Sequence, residues 1–388
     1  MAWSADWSLE TNVSQSLEFN SNASLSSPPP GQTTSSYTSL SGTAEQRTQS
    51  SELGISGDVH FTKYWGSGAG VLPQTHNLAG GLKAHYEYFD KPDSDFGRRA
   101  WFEAAYRQQQ AAFALLDQFG SSTGATGTLN RLSFSGGFDR GLSAHDRLSA
   151  SAETIRTTYS PGSAGTAFQD TRGSVTWSHR LSPLTVLKAS SGGEWLNYDN
   201  ASGTDIIIWR NQGGVETTLS PRLALRAGAG ISYVRTLRGA GVAPHAVGFI
   251  GDVLLTYRPL KTLTTTLNAS RMVGPSSLGS LFQTSLVGGS VTQQIDSASS
   301  ISTAVNFRRF ASTTATTDYA SVSLSYNHRL TSAWTASVTY RYLHRFRSSG
   351  STTIDPITGT PVATGLTSAN SHSLMFTVTR HFVDFLGL

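Results

Sequence analysis

Residues 334–346 read WTASVTYRYLHRF, and the alternation in this segment decides the fold. A β-strand points successive side chains to opposite faces, whereas a helix would repeat its apolar residues at intervals of three and four. The segment therefore predicts a strand with one apolar and one polar face. The first face carries Trp334, Ala336, Val338, Tyr340, Tyr342, His344 and Phe346, and the second carries Thr335, Ser337, Thr339, Arg341, Leu343 and Arg345.

The same alternation recurs along the chain. Each apolar set spans about ten residues, which at ~3.3 Å per residue and a tilt of ~45° cover roughly 23 Å. This length matches the apolar band of β-barrels that cross the bacterial outer membrane. The recurring sets lie within 7–19, 53–61, 82–88, 132–138, 175–177, 223–233, 249–257 and 322–326.

A soluble β-sandwich or solenoid is the alternative to a membrane barrel. Three features favour the barrel: a polar face of Ser, Thr, Asn and Gly with scattered Arg and Glu, aromatic residues near strand ends, and too many apolar segments for one sandwich core. The longest apolar run, 111–116, is far shorter than the roughly 20 residues of a membrane helix. The girdle aromatics are Trp3, Trp177, Trp209, Tyr257, Tyr340 and Tyr342.

Tight turns recur at a fixed spacing, because Pro183, Pro221 and Pro259 each lie 38 residues apart. Such a period indicates a repeated hairpin. Further turns near 46–50, 90–97, 143–146, 296–299 and 330–332 bring the total to eight, separated by longer loops rich in Gly, Ser, Thr and Pro. Eight turns with both chain ends on one side predict 18 strands, and 16 is the fallback because 34–46 alternates weakly.

The last predicted strand, 373–382, reads SLMFTVTRHF and resembles the C-terminal strand by which bacterial outer-membrane β-barrel proteins are recognised for assembly. Members of that family usually end at the terminal aromatic residue, whereas this chain continues to 388, and Phe385 is the alternative terminal aromatic. The resemblance implies a porin-like, all-β transmembrane antiparallel up-and-down barrel, formed as one domain by residues 1–388. It also implies the assembly machinery and outer-membrane lipid as partners, and homo-oligomers are common among porins.

Barrels of 16 to 18 strands leave an aqueous channel, which is the physical basis for predicting a pore. A charge that faces lipid at mid-depth costs about 2–4 kcal/mol, so charged residues are expected to face inward. The predicted pore-lining residues are Glu10, Glu18, Asp58, Lys83, Glu87, Glu103, Arg107, Arg131, Lys188, Arg226, Arg258, Arg308, Arg329, Arg341 and Arg345.

The order of these charges suggests a sharper hypothesis. Acids come early in the chain and arginines late, and closure makes the first and last strands neighbours. A lateral field across the lumen or a salt-bridge seam would follow. Separately, the loop 109–128 carries the apolar run 111–116, which folds into the barrel, contacts a partner or extends a strand; the last is the favoured interpretation.

The composition and motifs point away from an enzyme and from nucleic-acid binding. Charged residues make up 14% of the chain, the net charge is +4, and the basic residues are scattered rather than clustered. There is no cysteine, and the ten histidines form no zinc motif. Gly120-Ser121-Ser122-Thr123-Gly124 matches G-x-S-x-G within a loop, without a strand-to-helix elbow. No catalytic residue, metal site or cofactor is predicted; a His60–His85 metal pair is the weak exception.

Two functions remain open from the sequence. The first is passive diffusion of small hydrophilic solutes or ions, and the second is a scaffold barrel that sheathes a cytochrome, a filament or a secretion component. The start of the chain shows no basic n-region or apolar h-region. The interpretation consistent with an outer-membrane location is a mature chain with an added initiator Met, or an incomplete reading frame.

Overall fold

A computed structural model describes residues 6–72, 75–90, 97–110, 127–160, 166–199, 203–238, 245–275, 281–311, 315–346, 349–350, 352–354, 361–363 and 367–386. Eighteen antiparallel strands close into a barrel, as the alternation predicts. Within these residues, no helix has the length and apolar character needed to cross a bilayer.

Each strand pairs with its neighbours in sequence, and closure pairs the last strand with the first. Short strands at Ser349–Gly350, Thr352–Ile354 and Pro361–Ala363 lie between β17 and β18, and a 3-10 turn spans Ser67–Val71. The barrel strands are β1 (Asp6–Asn20), β2 (Thr33–Arg47), β3 (Ser51–Trp65), β4 (His76–Asp90), β5 (Arg98–Gln110), β6 (Thr128–Gly141), β7 (Asp146–Tyr159), β8 (Phe168–Ser182), β9 (Thr185–Tyr198), β10 (Asp205–Ser220), β11 (Leu223–Arg238), β12 (His245–Leu260), β13 (Leu263–Pro275), β14 (Leu281–Gln294), β15 (Ser299–Ala311), β16 (Ala315–Arg329), β17 (Trp334–Arg345) and β18 (Ala369–Leu386).

The weakly alternating segment 34–46 is a full strand, which selects 18 strands over 16. As β2, it pairs along its whole length with both β1 and β3. Its alternation is weak because its outward face also carries hydroxyl groups. Ser36 Oγ accepts a hydrogen bond from Gln15 Nε2 (2.8 Å), and Thr38 Oγ1 donates to Gln15 Oε1 (2.6 Å).

The outward apolar face is exposed throughout the part of the chain that the structure describes. Val247 is 68% exposed and Leu78 is 63% exposed, values that a packed sandwich core would not allow. Trp177, Trp209, Tyr257 and Tyr340 are exposed in the same way, as residues of an aromatic girdle are. Trp3 lies outside the described residues. These side chains therefore face hydrocarbon, and the soluble alternative is excluded.

The connections differ in length at the two ends of the barrel. We call the end with the connections 48–50, 142–145, 183–184, 221–222, 261–262, 295–298 and 330–333 the short-turn end, and the opposite end the long-loop end. In outer-membrane barrels these ends are periplasmic and extracellular, respectively.

One predicted turn is displaced. Pro183 and Pro221 lie in two-residue turns, but Pro259 lies inside β12, and the turn follows at 261–262. The register between β12 and β13 shifts between Tyr257 and Leu260. Proline has no N–H to donate, so it interrupts the ladder at an irregularity instead of ending the strand.

Candidate functional site: the inner wall

The pairing registers place all fifteen predicted pore-lining residues on the inward face. Glu10 and Glu18, for example, share the face of Ser14 and Ser16, while Val13 on the same strand is exposed on the outside. Partners in neighbouring strands continue these two faces around the barrel. That these residues line a conducting pore stays a prediction.

Two of the fifteen donate hydrogen bonds to backbone carbonyls in the connections between strands. Arg345 is only 3% exposed, and its Nη2 donates to the carbonyl of Thr367 at 3.0 Å, so the prediction that it lines the lumen is wrong. Arg329 lies at the short-turn end, where its Nη2 donates to the carbonyl of Ser297 at 2.9 Å.

The inward face of β3–β12, which we call the charged wall, carries ion pairs between neighbouring strands. Lys83 Nζ lies 2.7 Å from Glu103 Oε2, and Arg99 Nε lies 2.5 Å from Glu87 Oε1. Because acids and bases are paired, the wall is densely charged but locally close to neutral. Further pairs are Arg147–Asp139 (3.2 Å), Arg172–Glu153, Lys188–Glu216 (2.6 Å), Arg210–Glu194, Arg226–Glu216 (3.5 Å) and Arg226–Asp252 (3.7 Å).

The inward face of β13–β18, β1 and β2, which we call the hydroxyl wall, is held by uncharged contacts. Thr266 and Ser290 hydroxyls lie 2.6 Å apart, and those of Ser325 and Thr339 lie 3.0 Å apart. Hydroxyl groups both donate and accept, so neighbours satisfy each other without introducing charge.

The predicted salt-bridge seam does not form at the closure of the barrel. Ser16 Oγ and Thr377 Oγ1 (2.8 Å) join β1 to β18, as do Asn12 Oδ1 and His381 Nδ1 (2.6 Å). Within the described part of the chain, no ion pair links β1 to β17 or β18. The register explains this, since Glu10 lies opposite Thr43 and Val383 rather than opposite an arginine. The lateral field stays a prediction.

Six of the predicted pore-lining arginines are exposed on the inward face and form no ion pair with an acid among the residues that the structure describes: Arg107, Arg131, Arg258, Arg308, Arg329 and Arg341. Arg107 and Arg131 are directly opposite each other on β5 and β6, and Arg308 and Arg341 project from the hydroxyl wall. Like charges directly opposite each other repel, and the acid Asp58 lies across Gly81 from Arg107 without an ion pair to it. These six positions carry positive charge that no ion pair offsets.

The loop 21–32 folds into the mouth of the barrel. Leu25 is 1% exposed and packs with Tyr319 and Ala369, against Phe310 and Leu343. Asn22 Nδ2 holds the loop in place by donating to the carbonyls of Ser26 (2.8 Å) and Asn370 (3.0 Å). For the loop 109–128 the sequence favoured an extension of a strand, with insertion into the barrel as an alternative, and 111–126 lie outside the described residues. Leu25, among serines and prolines, gave no such signal.

A second apolar patch lies across the mouth, at the long-loop end of the charged wall. Its buried members are Leu196, Tyr198, Ile206, Ile208 and Val234, with Phe168 and Val273 packed against them.

Val273 reaches this patch because the upper part of β13 leans over the lumen. Arg210, three strands away on β10, donates from Nη2 to the Val273 carbonyl at 2.7 Å. Pairing between β12 and β13 begins only at Gly251 and Arg271, which leaves the residues of β13 above that point free to lean inward. The mouth is therefore narrowed from two sides.

The structure separates the two histidines of the suggested metal pair. His60 lies opposite Ala79, whereas His85 lies opposite Gly54, six positions along β3 from His60. Among the described residues, no group of three or more His, Cys, Asp or Glu side chains could hold a metal ion. Gly120–Gly124 lies outside the described residues. The expectation of no enzymatic activity stays a prediction.

Comparisons with known proteins support the architecture. No family model matches the sequence, and no curated protein matches it. Two structures of the FrpB iron transporter from Neisseria meningitidis, the F3-3 and F5-1 variants, superpose with TM-score 0.54 at 8% identity. The alignments cover 97% of this chain and 81% of the F3-3 chain, and 98% of this chain and 83% of the F5-1 chain. At this identity the likeness is one of fold. The closed barrel with its exposed apolar exterior identifies the chain as a protein of the bacterial outer membrane.

Proposed function

We propose that the barrel conducts small hydrophilic solutes and ions across the outer membrane by passive diffusion. The observation that carries this proposal is the polar inner wall, which alternates with the exposed apolar face on every strand around the circumference. Barrels of this strand number are wide enough to hold water. FrpB is described as an iron transporter, which supports a transport role at the level of architecture.

Reconstitution in planar bilayers tests the proposal. We expect stepwise current increments as single barrels insert, because water and ions fill a polar lumen of this width. Insertion is verified independently by the altered gel mobility of the folded barrel. Barrels that insert fully and carry no current would overturn the proposal.

The chain offers a matched control because it contains no cysteine. Ser323 and Leu324 are adjacent on β16, and Leu324 is 47% exposed on the outward face while Ser323 faces the lumen. In Ser323→Cys, a charged methanethiosulfonate reagent should reduce the current, whereas Leu324→Cys should not respond. Equal responses would show that the current does not pass through the lumen.

The same recordings discriminate the scaffold alternative. A barrel built to sheath another protein would leak without selectivity or stay closed when purified alone. The inward packing of loop 21–32 supports a barrel whose mouth is narrowed by its own chain.

A further inference from the structure

Trp101 departs from the placement of the other described tryptophans. Trp7, Trp65, Trp177, Trp195, Trp209 and Trp334 are all exposed on the outward face. Trp101 instead shares the inward face of Arg99 and Glu103, and lies opposite Glu87 and Gly137. An aromatic ring on the water-facing inner wall cannot contact lipid. Its position is therefore explained better by another binding partner.

A row of small residues leads away from Trp101 across the charged wall. Trp101 pairs with Gly137, which pairs with Ser151, then Ser174, then Gly192, and finally Arg210 on β10. We call Gly137, Ser151, Ser174 and Gly192 the trough. From Trp101 to Arg210 the row covers five strand spacings of about 4.8 Å, roughly 24 Å, of which the trough covers three. The row runs obliquely to the barrel axis. From Trp101 it rises towards the apolar patch at the long-loop end.

The glycines are required for the shape of the trough. A Cβ at Gly137 would lie 2.9 Å from Trp101 Nε1 and 2.6 Å from the Ala150 carbonyl oxygen. A Cβ at Gly192 would lie 3.0 Å from the Gly173 carbonyl oxygen. Because glycine has no side chain, the Trp101 indole can lie against the wall at Gly137, and no side chain projects into the trough at Gly192.

Polar groups border the trough on both sides. The Glu153–Arg172 ion pair lies along one edge, and Thr176 and Gln212 lie along the other. On the floor, the Ser151 and Ser174 hydroxyls lie 3.1 Å apart. The concavity that Trp101, Ser151, Ser174 and Gly192 line has a volume of about 400 Å³, within the range of roughly 300–1,000 Å³ for small-molecule sites. Its edge offers donors and acceptors whose charges cancel.

We propose that the trough binds a neutral oligosaccharide, with one pyranose ring stacked on Trp101. The C–H face of a pyranose matches an aromatic face, and its hydroxyls match the serine, glutamine and ion-pair groups along the edges. An elongated floor favours a chain of rings over a compact solute, and the paired charges favour an uncharged ligand. This inference rests on the proposed pore and specifies a solute class for it.

Current block by gluco-oligosaccharides of one to six units tests the inference, with polyethylene glycols of matched size as controls. We expect saturable block that strengthens with chain length for the sugars but not for the glycols. Trp101→Ala should weaken sugar block about tenfold, the scale expected when an aromatic contact is lost, and Trp101→Phe should restore part of it. Trp209→Ala, which removes an exposed outward indole, is the control and should leave block unchanged.

The outcomes separate this inference from the proposed pore. Equal block in wild type and Trp101→Ala, or block by glycols and sugars alike, would overturn the trough while leaving the pore intact. If the barrel carries no current, calorimetric titration of the same sugars into the protein in lipid nanodiscs decides the matter: Trp101-dependent binding supports the trough, and its absence overturns it. Preferential binding of sulfated sugars would overturn the assignment of a neutral ligand.

Discussion

The charged wall and the hydroxyl wall solve the same problem, a polar surface around water, by opposite means. On β3–β12 the inward side chains form ion pairs such as Lys83–Glu103 and Lys188–Glu216. On the remaining strands, hydroxyl pairs such as Thr266–Ser290 replace them. The hydroxyl wall also receives the inserted loop, whereas the charged wall carries the trough.

The difference shows that the density of charged residues does not determine the electrostatics of a lumen. Paired charges partly cancel each other's field at a distance, and isolated ones such as Arg107 and Arg131 do not. A buried member of a pair, such as Glu194, also depends on its partner, because removing the partner leaves a charge uncompensated in a poorly solvated site. The charged wall should therefore be the more sensitive to substitution, and the hydroxyl wall the more tolerant.

The largest expected effect is on stability, at Arg210 of the charged wall. Arg210→Met removes the ion pair with Glu194, which is 3% exposed, and the bond to the Val273 carbonyl. Breaking a buried pair costs roughly 3–5 kcal/mol, and we expect about 3 because Arg210 itself is partly exposed. Urea unfolding in lipid vesicles measures the change. Arg341→Met on the hydroxyl wall should stay within about 0.5 kcal/mol of wild type, and equal losses would refute the contrast.

The next effect concerns the loop that covers the hydroxyl wall. Leu25→Ala should cost about 2–3 kcal/mol of local packing and release loop 21–32 from the mouth. We expect a larger single-channel conductance and faster proteolysis within the loop. Leu40→Ala truncates an outward leucine that is 54% exposed, and conductance should not change. An unchanged conductance in Leu25→Ala would show that the loop does not restrict the lumen.

A smaller effect tests whether paired charges contribute to the ion selectivity of the lumen. The double variant Arg107→Gln and Arg131→Gln removes two cations that form no ion pair, so the ratio of chloride to potassium permeability should fall, by roughly twofold. The matched double variant Lys83→Gln and Glu103→Gln removes one charge of each sign. Its reversal potential in a KCl gradient should equal that of wild type. A comparable shift in both variants would contradict the distinction between paired and unpaired charges.

The smallest effect is expected in a turn of the hydroxyl wall at the short-turn end. The Ala298 and Ser299 amides each donate to Asp296 Oδ1 at 2.7 Å, and the Ala298 bond is the main reason that the pKa of Asp296 is lowered from 3.8. A lowered folded-state pKa contributes stability above the unfolded value, which is lost as the pH falls through the folded value. Asp296→Ala should lower Tm slightly at neutral pH and leave it unchanged well below pH 3.8. A Tm difference that persists in acid would exclude this origin.

Strand positions and inward faces could be predicted from the sequence because both depend on local alternation. A period of two holds along every barrel strand, even on β2, where hydroxyl groups on the outward face blurred it. Pro259 misled the prediction because a proline also fits a strand irregularity.

Contacts between strands were less accessible, because they depend on register and not on alternation. A register shift of two residues changes which acid lies opposite which arginine. The predicted salt-bridge seam between β1 and β18 was therefore wrong, and the ion pairs on β3–β12 were not predicted. Leu25 stands alone among small residues and carries no pattern. Trp101 was within reach, since it shares its parity with Glu103 and Arg107 while Phe102 and Tyr106 take the other face.

The ladder between β1 and β18 has a consequence for biogenesis. Its pairs run from Trp7–Leu386 to Asn20–Ser373, so partners are separated by most of the chain. Of all the strand pairings in the barrel, this one costs the most loop-closure entropy. It cannot begin to form until β18 itself is available for pairing. Until then two long strand edges stay open to pairing with other chains. Truncation within β18 should therefore yield aggregates or chaperone-bound intermediates instead of a smaller barrel.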